Sequence, residues 1–143
     1  MTFTPVIRET DKPSLASYQQ GLKVLRATTT DAVGPPDNHD FALLITAPGD
    51  TTVRGGLWGQ SRWGAFYVDM LVVPEDLQHM GMGTSLMQRA ETEARGRGCH
   101  LMWLDTYAFQ ARPFYERLGF EVFGQLDGSE PIYPRWFMRK VLA

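Results

Sequence analysis

The sequence predicts an α/β protein with a mixed sheet. Apolar, β-branched segments follow one another as strands in the first half, and helical patterns alternate with strands in the second half. Because a helix between two successive strands usually leaves them parallel, at least part of the sheet is expected to be parallel. The chain has 143 residues, the length of one domain, and we predict a single domain over residues 1–143.

The first half is expected to contain one helix and four strands. Residues 2–8 are rich in β-branched residues, which favour a strand. Residues 11–14 are typical of a helix start, with Pro13 in the first turn, and the helix is expected to weaken at the threonine run 28–30. Strands are predicted over residues 41–47, 51–60 and 65–73, and the four-residue link 61–64 indicates a hairpin.

The second half alternates between helices and strands. A helix is predicted over residues 83–97, with Leu86, Ala90 and Ala94 on one apolar face. A short strand over residues 100–105 follows, then a helix over residues 111–118 with Pro113 in its first turn. Strands over residues 120–124 and 133–141 end the pattern.

Composition excludes several classes of protein. Hydrophobic residues make up 43% and charged residues 21% of the chain, as in globular proteins and unlike disordered ones. The net charge is −2 with no long basic run, so we expect no nucleic-acid partner. No apolar stretch is long enough to span a membrane. Cys99 is the only cysteine and lacks a partner for a disulfide or a metal site. We therefore expect a cytoplasmic protein without a metal ion.

The pattern Gln78-x-x-Gly81-x-Gly83 follows a predicted strand and opens a helix. The first amides of a helix have no internal partners, and the helix dipole makes that end positive. Alternating glycines let the backbone approach an anion closely. The segment suits a phosphate or pyrophosphate, although a tight turn that carries two glycines explains it equally well.

Two other phosphate-binding motifs fit less well. A P-loop needs a lysine before its Ser or Thr, whereas Gly83 is followed directly by Thr84. A dinucleotide fingerprint needs a third glycine where Leu86 stands and needs its glycines directly after the strand. Asp105 does lie near the place of the ribose-binding acid. The missing glycine and the long loop nevertheless decide against a dinucleotide site.

Residues 78–83 resemble the Q/R-x-x-G-x-G/A signature of the GNAT superfamily of N-acetyltransferases. Residues 111–120, with Tyr115 and Gly119-Phe120, resemble the A-x-x-x-Y-x-x-x-G-F stretch of the same superfamily. The resemblance implies a mostly antiparallel sheet with a parallel, splayed strand pair and flanking helices. It also implies direct acetyl transfer from acetyl-CoA to an amine of a small molecule or peptide, and homodimer formation. The alternative is a non-catalytic CoA-binding sensor or regulatory module.

The resemblance implies an acetyl-CoA site on the last strand before the signature and on the signature loop. The strand backbone would pair with the pantetheine arm, and the loop amides would bind the pyrophosphate. These residues are Leu71, Val73, Gln78, His79, Met80, Gly81, Met82, Gly83 and Thr84. For the side chains of Leu71 and Val73 we expect plain core packing. Glutamine at position 78, where most relatives have arginine, removes one positive charge and is expected to lower affinity.

Tyr115 and Asp69 are the candidate catalytic residues. The resemblance implies that Tyr115 protonates the departing thiolate, a role that suits a phenol; the alternative is an aromatic core residue. Asp69 interrupts an apolar strand, so it must reach solvent, a partner or a function. Several relatives keep a proton-accepting carboxylate there, and burial would raise its pKa and make it a better base. A structural hydrogen bond or an anchor for a cationic substrate is an equal alternative.

Three large aromatic residues are assigned to acceptor binding: Trp58, Trp63 and Tyr67. Glycines flank the two tryptophans near the predicted hairpin, which suits a pocket for an aromatic or cationic amine. Core packing is the alternative. Cys99 lies at a helix exit rather than a helix start, so nothing makes it a nucleophile.

Overall fold

The computed structural model describes residues 2–109 and 111–142. The chain divides into two units, Met1–Pro36 and Asp37–Ala143. In the first unit, residues 2–10 belong to no helix or strand, so the predicted strand over residues 2–8 is wrong. β-branched residues favour extended backbone, but a strand also needs a neighbour with which to exchange hydrogen bonds.

The first unit contains one helix, α1 (Leu15–Val33). Ser14, within the predicted helix start at residues 11–14, caps the helix, because its hydroxyl accepts from the Ser17 amide at 3.1 Å. Pro13 therefore lies before the helix rather than in its first turn. The threonine run does not end the helix. The three threonine hydroxyls donate to carbonyls one turn earlier, at Leu25 and Arg26. Each hydroxyl therefore has a hydrogen-bond acceptor within the helix.

Within the described ranges, the second unit contains a six-stranded sheet and two further α-helices, besides a short 3-10 helix at Glu75–Leu77. Its elements are β1 (His39–Ile45), β2 (Gly55–Arg62), β3 (Ala65–Val72), α2 (Met82–Gly96), β4 (Leu101–Tyr107), α3 (Arg112–Arg117), β5 (Glu121–Leu126) and β6 (Arg135–Val141). The strand predicted over residues 51–60 starts at Gly55 rather than at residue 51. Asp50 accepts from the Thr52 amide at 2.9 Å, which makes a local turn before it.

The sheet has the strand order β1-β2-β3-β4-β6-β5, and the mixed sheet is confirmed. Only β3 and β4 are parallel neighbours; the other pairs are antiparallel. The parallel pairing runs from Ala65 opposite Leu101 to Tyr67 opposite Trp103 and stops there. The two strands separate beyond that point, which gives the splayed pair. Strand β6 lies between β4 and β5, so α3 joins strands that are not neighbours.

The pairing of β2 with β3 contains an irregularity at Asp69. Trp58 lies opposite Met70, while the next residue, Gly59, lies opposite Val68. Asp69 is therefore the extra residue of a β-bulge. A bulge leaves one residue unpaired and re-aims its side chain.

The bulge changes which residues of β3 face the core. Before it, Phe66 and Val68 are buried; after it, Leu71 and Val73 pack against the core. An uninterrupted strand would keep every second residue on the same face. Asp69 thus lies at the point where the core-facing positions change from even-numbered to odd-numbered residues.

The core lies between the sheet and α2. The helix buries Leu86, Met87, Ala90 and Ala94, which confirms its predicted apolar face. These side chains join buried residues of the sheet: Ile45, Leu57, Phe66, Val68, Met102, Leu104 and Met138. Across the described ranges, no helix is long and apolar enough to cross a membrane.

Candidate active site

A cleft of about 1030 Å³ opens where β3 and β4 separate. Strand β3 forms one side, the end of β4 forms the other, and the start of α2 and helix α3 complete it. Ten of the sequence-predicted site residues line this cleft: Asp69, Leu71, Val73, Gln78, His79, Gly81, Met82, Gly83, Thr84 and Tyr115. Met80, Trp58, Trp63 and Tyr67 do not.

The start of α2 presents backbone amides to the cleft. Gly81 precedes the helix in the left-handed conformation, with φ of 76°, and supplies no side-chain cap. The first helical hydrogen bond is donated by the Ser85 amide to the Gly81 carbonyl, at 3.0 Å. The amides of the three residues between them have no helical acceptor. His79 is also left-handed, with φ of 64°. Such a turn directs successive amides towards one point and suits an anion.

The two glycines of this turn are needed for different reasons. Gly81 has open space around it, so its left-handed backbone is what requires glycine. Gly83 has an ordinary backbone, but a Cβ there would lie 3.2 Å from Cζ of Phe114. The start of α2 therefore lies close against α3.

Side chains around the turn have structural roles. The Gln78 amide donates to the Val73 carbonyl at 3.4 Å and holds the loop to the end of β3. Met80 is 67% exposed and lies outside the cleft. His79 is exposed. These positions leave the backbone as the main donor of hydrogen bonds to an anion.

The edge of β3 is open along the cleft. From Val68 onward β3 has no pairing with β4. An extended chain placed there can hydrogen-bond to a strand edge as an additional strand would. The side chains of Leu71 and Val73 pack against the core, as expected, so the backbone is what they offer to the cleft.

Tyr115 lies in α3 among other rings. Its ring packs edge-on against Phe114 at 5.1 Å and against Phe120 at 6.0 Å. Burial raises the pKa of Tyr115 above its usual value, because the charged phenolate is poorly solvated there. The phenol is therefore protonated at neutral pH, and Tyr115 lines the cleft.

Asp69 is exposed rather than buried. The bulge places its carboxylate on the cleft and also on a smaller neighbouring pocket of about 420 Å³. Trp58 and Asp40 line that smaller pocket. The burial that would make Asp69 a better base is therefore absent, and its carboxylate is open to solvent and to an incoming amine.

Tyr67 lies at the fork where the strands separate. Its hydroxyl donates to Oδ2 of Asp105 at 3.2 Å, and two N–H groups of Arg135 donate to Oδ1 at 3.0 and 2.7 Å. Burial, together with the negative charge of Asp105, raises the pKa of Tyr67. The Tyr67 ring also packs on Trp103 at 4.4 Å. Tyr67 thus connects β3 to Asp105 and Trp103 of β4 near the point where the two strands separate.

Trp63 is separated from the cleft. It forms the β2–β3 turn, at the end of the hairpin opposite to the bulge, and is 53% exposed. It lines a different pocket of about 410 Å³ that also contains Cys99. The structure therefore does not bring Trp63 to the cleft, because the hairpin is long enough to carry its turn away from the splayed strands, and acceptor binding by Trp63 stays a prediction.

Sequence reasoning missed Arg117 on α3 and Phe109, and it considered Asp105 of β4 only as a ribose-binding acid. All three line the cleft, as does Tyr107, one of the aromatic residues expected close to it. Asp105 carried the same signal as Asp69, a charged residue in an apolar strand. Arg117 lies two residues after Tyr115, and residues two apart do not share a face of a helix, so the spacing gave no signal that both line the cleft.

Comparisons with known proteins give a consistent result. Residues 8–120 match the sequence profile described as the acetyltransferase (GNAT) family. The chain is 40% identical over 93 residues to acetyltransferase Atu2258 of Agrobacterium fabrum, covering 65% of this chain and 67% of that protein. It is 40% identical over 83 residues to blasticidin-S acetyltransferase of Streptomyces morookaense, covering 57% and 58%. The match thus spans little more than half of the Streptomyces protein.

The fold also matches a solved structure over its full length. The crystal structure of an Agrobacterium tumefaciens protein superposes with a TM-score of 0.87 and 30% identity, covering 99% of this chain and 100% of that chain.

Proposed function

Because the chain belongs to the acetyltransferase (GNAT) family and is an N-acetyltransferase, we propose that its acyl donor is acetyl-CoA, bound in the β3–β4 cleft. The acceptor is an amine of a small molecule or peptide. The observation that carries the proposal is that one cleft contains an anion-binding turn, an open strand edge, a protonated phenol and an exposed carboxylate.

The residues of the cleft fit acetyl-CoA. The amides at the start of α2 suit its pyrophosphate, since no Cβ at Gly83 blocks their approach. The open edge of β3 suits the amide-containing pantetheine arm. Arg117 is an exposed cation on the cleft and suits a phosphate. When bound, acetyl-CoA supplies an activated thioester as the acetyl donor.

Asp69 and Tyr115 handle the protons of the transfer. The acceptor nitrogen forms a bond to the thioester carbonyl carbon, and the bond from that carbon to sulfur breaks. Asp69, directly or through water, accepts the proton that the nitrogen loses. Tyr115 donates its proton to the leaving sulfur and regains one from solvent. Each proton therefore has a donor and an acceptor within the cleft.

Direct transfer needs no acyl-enzyme. Cys99 is buried in the pocket beside Trp63, outside the cleft. Burial raises the pKa of its thiol, so it is a poor nucleophile at neutral pH. Catalysis then rests mainly on holding two reactants in contact.

We also propose that residues 1–143 act as one acetyltransferase domain. The family match over residues 8–120 crosses the boundary between the two units at Pro36 and supports this. Homodimer formation stays a prediction, which sedimentation of the purified protein tests.

The test is acetyl transfer from isotope-labelled acetyl-CoA to a panel of amines, with products identified by mass spectrometry. The panel includes simple primary amines, amino acids, a peptide N-terminus and blasticidin S, since a relative bears that name. We expect a labelled amide with at least one amine and much less with Tyr115→Phe. Tight binding of acetyl-CoA without transfer to any amine would favour the sensor alternative.

A further inference from the structure

The cleft has an aromatic wall on its β4 side, which we define as Tyr107, Phe109 and Tyr133. Phe109 is 67% exposed, Tyr133 is 64% exposed and Tyr107 is 36% exposed. Tyr107 and Phe109 line the cleft itself. Large exposed aromatic groups that cluster at a cleft mark a binding surface more often than scattered ones do.

The aromatic wall is built as a continuous ladder. The rings of Tyr107 and Phe109 lie nearly parallel, with centroids 5.4 Å apart and an angle of 10°. Tyr133 meets Phe109 edge-on at 5.3 Å. The Ala108 amide donates to the Pro134 carbonyl at 2.8 Å, which ties the two loops together. The ladder therefore presents ring faces and edges held by backbone contacts.

Charge distinguishes the two sides of the cleft. On the β4 side, the Arg135 guanidinium lies 5.3 Å from the Tyr107 ring centroid and is paired with Asp105. On the β3 side, Asp69 presents an exposed carboxylate. Arg135 and Asp105 are paired and largely offset each other's charge, so the wall offers little net attraction to an ammonium group, whereas an ammonium is favoured beside the exposed carboxylate of Asp69. An uncharged planar ring suits the wall.

We propose that the acceptor is a primary amine that also carries a planar aromatic or heteroaromatic ring. The ring packs on the aromatic wall while the amine lies beside Asp69. This inference rests on the proposed function, because it assigns the acceptor of that reaction. Ring stacking beyond simple area burial is expected to favour such an amine by about three- to tenfold over a saturated analogue.

The experiment compares two probes of matched size, 2-phenylethylamine and 2-cyclohexylethylamine. Their binding to the protein with CoA present is measured by ligand-observed NMR. Phe109→Leu removes the central ring at an exposed position and should leave the fold intact. Tyr133→Phe keeps the ring and serves as the matched control.

We expect the aromatic probe to bind about three- to tenfold more tightly to the native protein and to Tyr133→Phe. Phe109→Leu should bring the two affinities within about twofold. Equal affinities in the native protein, or a preference that survives Phe109→Leu, would overturn the inference. Thiol release from acetyl-CoA with the same probes separates the two proposals. Transfer without ring preference leaves the proposed function standing and overturns the inference. Ring preference without transfer would mean that the aromatic wall binds rings but that these amines are not the acceptor, which also overturns the inference.

Discussion

Gly83 lies against Phe114, and a side chain at position 83 would require Phe114 to shift by a few tenths of an ångström. A Cβ there would lie 3.2 Å from Cζ of Phe114 and 3.9 Å from Cγ2 of Val73. Phe114 precedes Tyr115 in α3. Gly83, the second residue of α2, therefore packs against the residue before Tyr115. This contact connects the proposed anion-binding turn to the proposed proton donor.

Gly83→Ala should weaken acetyl-CoA binding. The new methyl group forces Phe114 or the start of α2 to move and narrows the approach to the backbone amides. We expect the dissociation constant to rise about tenfold, the cost of one disturbed anion contact. Isothermal titration calorimetry with acetyl-CoA measures it.

Gly96→Ala is the matched control for that variant. It lies at the other end of α2, and a Cβ there meets nothing within 4 Å. Its affinity for acetyl-CoA should be unchanged, and the helix should gain up to about 1 kcal/mol. An equal loss of affinity in both variants would mean that helix stability, not the contact with Phe114, sets binding.

Tyr115→Phe should lower turnover without weakening donor binding. Removing the hydroxyl removes the proton donor but keeps the ring packed between Phe114 and Phe120. We expect kcat to fall about 100-fold at unchanged acetyl-CoA affinity.

The pH dependence separates this role from a structural one. Burial raises the pKa of Tyr115, so its proton is kept until the pH exceeds the ordinary phenol value of 10.0. The native rate should fall only above that value, and the fall should vanish in Tyr115→Phe. An unchanged alkaline limb in the variant would remove Tyr115 from the proton path.

Asp69→Asn should slow transfer most at low pH. Without a proton acceptor, the reaction depends on amine that is already deprotonated, and that fraction grows with pH. We expect kcat/KM to fall about 100-fold at neutral pH and to recover as the pH rises. Glu121→Gln, an exposed carboxylate of β5, is the control and should change nothing. A pH-independent loss would indicate substrate anchoring instead.

Arg117→Ala should weaken binding of acetyl-CoA but not of acetyl-pantetheine. Arg117 is an exposed cation on the cleft, and only the first ligand carries phosphates. We expect about a three- to tenfold rise in the dissociation constant for acetyl-CoA alone. An equal rise for both ligands would assign Arg117 to the shape of α3 rather than to phosphate binding.

Lys140→Met should destabilise the fold in a pH-dependent way. Burial alone would raise the pKa of Glu91, but hydrogen bonds and charges from Lys140 and Arg95 outweigh it and lower the pKa. A lowered pKa stabilises the folded state above the unfolded value of 4.5, and the stabilisation is lost as the pH falls through the folded value.

Urea unfolding measures this effect. We expect Lys140→Met to cost about 1 kcal/mol at neutral pH and much less at about pH 3. Arg139 lies on the same strand as Lys140 and forms an exposed pair with Glu121 of β5. Arg139→Met should therefore cost less than about 0.5 kcal/mol at both pH values. A cost of equal size at both pH values for Lys140→Met would assign it to packing of the side chain.

Local patterns predicted a helix over residues 83–97 and its apolar face, within one residue of the observed Met82–Gly96, because apolar spacing and glycine positions act within a few residues. They also predicted the turn at residues 78–83, whereas the role of Tyr115 came from the family resemblance. The strand over residues 2–8 failed because pairing with another strand is not a local property. The insertion of β6 between β4 and β5 could not be predicted for the same reason.

The exposure of Asp69 and the position of Trp63 also depend on longer-range structure. A charged residue in an apolar strand signalled something unusual at position 69. Only the register of β2 against β3 shows that a bulge is what exposes it. Similarly, only the splay of β3 from β4 decides which end of the hairpin meets the cleft, and Trp63 lies at the other end.

The most direct test of the central claim is calorimetric titration of the purified protein with acetyl-CoA, with NADH and ATP as controls. We predict saturable binding of about one acetyl-CoA per chain, weakened by Gly83→Ala and not by Gly96→Ala, and no comparable binding of NADH or ATP. Failure to bind acetyl-CoA and CoA would mean that residues 78–84 form only a turn, and the proposed function would fall with them.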